Sequence, residues 1–352
     1  PDLSATVGYS NPDYGQTGIE ASMDPYLRGI EGNTPSAYLI SRELYGQYPE
    51  GLDIRLSLDL TLQTTADELM LGKTGGLIVM NASNGEVLAM SNTPTFDANQ
   101  LNEQWSTWMA DESAPLLNRV TLGQYPAGSA TSIFILAHYL ALNDLSEVVP
   151  SFKLTLVPGK SSSCAISPGS DPGWQQLIAS GCNNAVLDLT REMIPSDVVT
   201  LYSDLGLTSQ PEIQTESVEP ADFKAVNHMS ELFLTDAVRV SPLQMAVAAA
   251  EVTNGGKVVK PTLVLAYQAP GGIWTLISNE NNGEIVPDLD TKAAVNLLQD
   301  GDSPVWSTTA EVVDNEKTVS WYVAGTPSDW QGVPIVIVVA LEDASPEQAI
   351  RI

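Results

Sequence analysis

The strongest constraint on the fold lies between positions 76 and 91. Gly76–Ala82 (GLIVMNA) and Glu86–Ser91 (EVLAMS) are apolar runs joined by Ser83-Asn84-Gly85, and Asn-Gly between two such runs marks a tight β-turn. A lone hairpin is marginal in water, so these strands need partners. Strand-like runs return late, at 258–267, 304–313, 317–324 and 333–342. Helical spacing fills the middle: Thr61–Leu71, Ser129–Leu142, Gln175–Arg191, Pro195–Leu205 and Ser241–Thr253, the last with Pro242 in its first turn and Asn254-Gly255-Gly256 as its stop. This order predicts a mixed α/β (α+β) domain in which the early hairpin closes on the late strands. Ile54–Asp59 alternates like a strand, the acidic stretch 207–230 reads as a surface loop, and Pro346 opens a final helix. Residues 1–55, rich in Gly, Pro, Tyr and acidic residues, read as short strands and turns leading into one helix near Gly18–Leu27, too little for a core of their own.

The chain has 352 residues, 43% of them hydrophobic, which supports a packed core and argues against global disorder. Forty-three acidic residues against 15 basic ones leave a formal charge of −28, which repels nucleic acid and anionic lipid headgroups and excludes a polyanion partner. No run of eighteen apolar residues occurs, so no segment reads as a membrane span. The chain opens at Pro1 without a signal-like segment, and the expectation is a processed or truncated piece whose anchor lies upstream.

The two cysteines, Cys164 and Cys182, flank SPGSDPGWQQLIASG near its two ends, a short stretch rich in turn formers. A disulfide there would stabilise by about 3 kcal/mol and would suit an oxidising compartment; the alternative is two unrelated buried thiols. The two histidines, His138 and His228, are isolated in sequence from the cysteines and read as packed or surface residues, so no metal or cofactor is expected. Seven tryptophans, Trp105, Trp108 and Trp330 among them, read as core and rim packing.

Five segments, in order along nearly the whole chain, resemble the transpeptidase domain of class B penicillin-binding proteins: GYSNPDYGQTGIEASMDPYLRG, GGLIVMNASNGEVLAMSNTPTFDANQ, LLNRVTLGQYPAGSATSIFILA, RVSPLQMAVAAAEVTNGGKVVKPTLV and SWYVAGTPSDWQGVPIVIVVALED. The resemblance implies a central antiparallel sheet of about five strands flanked by helices, with 1–55 as the remnant of an N-terminal pedestal and 56–352 as the transpeptidase-like domain. In that family S-x-x-K, S-x-N and K-T-G meet at one end of the sheet. The serine needs a base, and a lysine three residues on lies on the same helical face. The second serine and the asparagine relay protons and hold the substrate amide. The third motif supplies positive charge for a carboxylate and a glycine that keeps a strand edge clear.

At these positions the chain departs from the pattern. The first motif falls on Ser129-Ala130-Thr131-Ser132, which keeps the serine and puts Ser132 in place of the lysine. The second falls on Gly181-Cys182-Asn183, with Ser180 one step out of register. The third, aligned on Thr-Ala-Glu, puts Trp306 in place of the lysine and Thr308 in place of the glycine, followed by Thr309; the rival alignment is Lys317-Thr318-Val319-Ser320. All seven positions (Ser129, Ser132, Gly181, Asn183, Trp306, Thr308, Thr309) therefore read as vestigial. Ser129 is expected to cap the helix that begins there, Ser132 to hydrogen-bond within its first turn, Asn183 to act as a structural hydrogen-bonder and Thr309 as a plain strand residue. A hydroxyl has no useful basicity at neutral pH, and loss of the base from a coupled site costs on the order of 10⁴ to 10⁶ in rate.

The expectation is an extracytoplasmic pseudo-transpeptidase, a structural or binding component of the cell envelope. Its expected partners are other envelope proteins, further copies of itself, or a peptidoglycan stem peptide, and it would meet the membrane only through an anchor outside this chain. Two alternatives stand beside it. One is an active D,D-transpeptidase or carboxypeptidase with rearranged motifs, which needs a cation such as Lys317 or Arg191 to reach Ser129. The other is a receptor for peptidoglycan or a β-lactam.

Overall fold

Alternation of side chains between two buried faces organises the main sheet. A computed structural model describes residues 3–47, 49–145, 164–220, 226, 228–277, 283–299, 303–314, 317–327 and 329–352. Strands β1 (Thr74–Asn81) and β2 (Val87–Thr93) form the early hairpin; β3 (Trp306–Asp314), β4 (Lys317–Gly325) and β5 (Ile335–Glu342) are the late strands. They make one antiparallel sheet of five in the order β3-β4-β5-β1-β2. The hairpin closes on the last strand, with Ile78 opposite Val338 and Met80 opposite Val336. At the hairpin turn Asn81 Oδ1 accepts from the Ser83 backbone N–H at 2.9 Å, and Asn84 Oδ1 accepts from that of Glu86 at 3.0 Å, the local bonds that make Asn a turn residue.

Helices cover both faces. They are α1 (Leu60–Met70), α2 (Ser132–Leu142), α3 (Trp174–Ala179), α4 (Asn183–Leu189), α5 (Pro242–Thr253), α6 (Thr291–Leu298) and α7 (Pro346–Ile350). Leu77, Val79, Val339 and Leu341 point to one face and pack with Ala66 and Met70 of α1 and Ala349 of α7. Ile78, Met80, Val336 and Val338 point to the other, into the larger core that holds α2 and α5. Each such side chain fully withdrawn from water contributes about 1.5–3 kcal/mol. Helix α5 is buried from Pro242 to Val252. Its start follows from local chemistry: Ser241 Oγ accepts from the Gln244 N–H at 3.1 Å while Gln244 Oε1 accepts from the Ser241 N–H at 2.8 Å, and Pro242 occupies the first turn.

Several boundaries differ from the sequence expectation. The single helix expected over Gln175–Arg191 is two, α3 and α4, broken by Ser180-Gly181-Cys182, where Gly181 takes φ +65°. The one expected near Gly18–Leu27 is also two, Gly18–Ser22 and Asp24–Leu27, the second with Pro25 in its first turn. A further helix, Pro35–Tyr45, has a Thr34 cap, Pro35 at its first position and Gly46 at its end in the left-handed conformation, start and stop signals that were present in the sequence. The strand expected at 258–267 is shifted to Val264–Ala269, which pairs with Ile54–Leu56 on one side and Ile273–Leu276 on the other. The main core, rather than a separate one, receives Ile19 and Met23 from the first 55 residues, and Tyr14 stacks on Trp105 at 4.4 Å.

Candidate functional site

The sequence around Ser129 folds as a tight turn held from three sides. Pro126 and Gly128 stop any helix before Ser129, and Gly128–Thr131 forms a 3₁₀ turn that leads into α2. Tyr125 pairs with Val240, the Ala127 N–H donates to the Val238 carbonyl at 2.9 Å, and Trp321 Nε1 donates to the Pro126 carbonyl at 2.8 Å. The Tyr125 hydroxyl donates to Glu342 at 2.9 Å, and Arg119 Nε meets the same oxygen at 3.0 Å. Burial, and then the Glu342 charge, push the Tyr125 hydroxyl well above its ordinary range, so it stays a donor. These long-range partners were invisible in the sequence.

Ser129 is 2% exposed, and its hydroxyl donates to the Gly181 carbonyl at 3.2 Å. This corrects the expectation of a helix cap: α2 begins at Ser132, its cap position is Thr131, and no side chain caps it. Ser132 is corrected as well. Its Oγ lies 3.0 Å from Thr308 Oγ1 across the site, whereas the bond back into the turn is made by Thr131, to the Gly128 carbonyl at 2.9 Å. Thr308 also donates to the Ile178 carbonyl at 3.1 Å, so the chain Ser132–Thr308–Ile178 ties α2, β3 and α3 together.

The segment between α3 and α4 closes on this turn. A Cβ on Gly181 would run into the Thr309 carbonyl, so only glycine lets the segment approach β3 in this conformation. Cys182 is bonded to Cys164, and the Ala165 N–H donates to the Ser180 carbonyl at 2.9 Å, which fastens the residues after Cys164 along the same segment. Asn183 is buried, and its Oδ1 has no hydrogen-bond partner.

Strand β3 brings Trp306, Thr308 and Thr309 to the site, all buried. Trp306 Nε1 donates to Thr253 Oγ1 at 3.2 Å, Thr309 Oγ1 donates to the Trp321 carbonyl at 2.7 Å, and Gln299 bridges to Trp306 at the outer edge of the strand. Thr309 is thus more than the plain strand residue expected. The rival third-motif lysine is remote: Lys317 is exposed at the end of β4 opposite Gly325, and Gly325 is the partner of Trp306. Five of the seven sequence-derived positions are therefore joined at one place, Ser129 to Gly181, Gly181 against Thr309 and Ser132 to Thr308, while Trp306 bonds to Thr253 and Asn183 lies next to Cys182 at the start of α4.

The family model described as "Penicillin binding protein transpeptidase domain" matches residues 75–350. The chain belongs to the penicillin-binding protein transpeptidase family. Among proteins similar to this transpeptidase-family chain is the peptidoglycan D,D-transpeptidase PbpA of Mycolicibacterium smegmatis, 23% identical over 97% of this chain and 78% of the relative. The peptidoglycan D,D-transpeptidase MrdA of Escherichia coli is 32% identical over a shorter stretch, 47% of this chain and 25% of the relative. Among solved structures, penicillin-binding protein A from M. tuberculosis as an imipenem acyl-enzyme complex superposes with a TM-score of 0.81 at 19% identity, over 99% of this chain and 88% of that one. The D,D-transpeptidase domain of a peptidoglycan glycosyltransferase from Eggerthella lenta gives 0.79 at 20% identity, over 99% of this chain and 88% of that one.

For a member of the transpeptidase family, the decisive question is what could take a proton from Ser129. Among the described residues no Lys or Arg hydrogen-bonds to Ser129 or Ser132. Arg191 pairs with Asp188 and is 77% exposed, and Arg239, across the short bridge from Pro126, pairs with Asp236 at 3.7 Å. His138 lies further along α2, where its Nδ1 is 3.0 Å from the Asp288 carbonyl, and His228 is exposed. Among the described residues no three His, Cys, Asp or Glu side chains gather as a metal site, and no helix is long and apolar enough to cross a membrane.

Proposed function

We propose that this chain is an extracytoplasmic pseudo-transpeptidase, a member of the penicillin-binding protein family that keeps the fold for binding or assembly in the cell envelope. One observation carries the reading: the hydroxyl at the nucleophile position is buried and donates to the Gly181 carbonyl, while a second hydroxyl, bonded to Thr308, stands where the family places its lysine. A donor already committed to a carbonyl, with no base in contact, has no route to an alkoxide. The strand edge that would pair with a substrate is met by Gly181 and Gln299. The partners of such a protein are other envelope proteins or further copies of itself, with a peptidoglycan stem peptide as a third class.

The test is covalent labelling. Incubation with a fluorescent penicillin, followed by intact-mass measurement, is expected to give no penicilloyl adduct even at high drug and long exposure. An adduct on Ser129 at low drug concentration overturns the reading and favours the active D,D-transpeptidase suggested by the relatives' names. Reversible binding of a muropeptide in calorimetry, without any adduct, would point instead to a receptor.

A further inference from the structure

Apart from the site above, one buried ionisable group has no evident structural use. Among the described residues the buried side-chain oxygens without a partner belong to Thr93, Thr121, Asn183, Glu251 and Thr326, and only Glu251 among these can carry a charge. It stands in the last turn of α5, in a run of Ala and Val, 2% exposed. Its Oε1 accepts a long bond from the Val259 N–H at 3.4 Å, and its Oε2 has no partner. A lone carboxyl in such surroundings is destabilising, and an alanine would fill the position at no such cost.

Glu251 also lines a cavity of about 390 Å³, within the range of small-molecule sites. Val247, Val259 and Val286 supply apolar wall. The other charged groups around it are Asp204, Glu212, Glu284 and Lys260, and Lys260 Nζ is 3.3 Å from Glu212, which leaves the remaining carboxyls to set a negative field. The carboxyls are spread around the cavity, and no three of them are gathered as a metal ion would require.

We propose that this cavity binds a small organic cation, an alkylammonium or guanidinium head on a short apolar body, with the head on Glu251 and the body against the valines. Burial pushes the empty-site carboxyl up to about 8, so at pH 7 Glu251 holds its proton. Seating the cation favours the carboxylate, and the proton leaves to solvent. None of the residues at the Ser129 turn lines this cavity, and its fate does not depend on whether Ser129 is inert.

Calorimetry at pH 7 with n-pentylammonium, in two buffers of different ionisation heat, is expected to show saturable binding with release of roughly one proton. Uncharged 1-pentanol is expected to bind at least about tenfold more weakly, and Glu251→Gln to lose a similar factor together with the proton release. If that variant does not fold, Val247→Trp, which fills the cavity from its wall, is expected to abolish binding. The inference is overturned by equal binding of 1-pentanol, by proton release that survives Glu251→Gln, or by no saturation in the millimolar range. A lysine tripeptide that saturates while pentylammonium is inert overturns the small-ligand reading and assigns the cavity to a lysine side chain of a polypeptide.

Discussion

At the residue scale, two side-chain choices carry the most physical information. Gly181 combines φ +65° with a Thr309 carbonyl where a Cβ would sit, so restoring the family's serine there costs both backbone strain and a collision. Gly181→Ser is expected to destabilise by about 2 kcal/mol or more in urea unfolding, with no gain of penicillin labelling. Glu251 gives a pH signature. Its native carboxyl titrates at about 8 against an ordinary value of 4.5, so the folded protein keeps a proton that the unfolded chain releases. The cost of burying this carboxyl is therefore smallest below about pH 4.5, and stability falls as pH rises from there to about 8, by a few kcal/mol in order of magnitude. Glu251→Gln should flatten that slope between pH 5 and 8; an unchanged slope would show that another group titrates.

At the element scale, the segment between α3 and α4 decides the state of the site. Only the turn-rich stretch between Cys164 and Cys182 was legible, and the pairing of these two cysteines was one of two readings that the sequence left open. The disulfide closes a separation of 18 residues, which corresponds to about 3 kcal/mol in the chain-entropy description. Urea unfolding with and without reductant, or of a Cys182→Ser variant, is expected to show a loss of that size. A loss under about 1 kcal/mol would mean that burial of Cys182 and the Ala165–Ser180 bond hold the segment unaided. By contrast, α5 was fully legible, because Ser241, Pro242, Gln244 and the Asn254-Gly255-Gly256 stop are all local signals. The break at Gly181 was not, because its cause is Thr309, far away in the chain.

At the scale of the whole molecule, a formal charge of −28 means self-repulsion that the core must overcome. Raising salt from about 20 to 300 mM shortens the Debye length to below about 10 Å, so the unfolding midpoint is expected to rise; a midpoint indifferent to salt would place the acidic groups too far apart to interact. Strand and helix identity follows mostly from periodicity, caps and turn residues carried by neighbours a few positions apart, and the sequence by itself determined these. The pairing of the early hairpin with the last strand, by contrast, joins residues more than 200 positions apart and was implied only by the order of the elements and the family resemblance. The sequence also determined that Ser129 and Ser132 would be hydroxyls with no lysine between them. What only the tertiary structure decided is where those hydroxyls point: Ser129 to Gly181, Ser132 to Thr308, neither in its own helical turn. The reason is physical. A buried hydroxyl takes whichever acceptor the packing brings to it, and that acceptor arrives from 52 or 176 residues away.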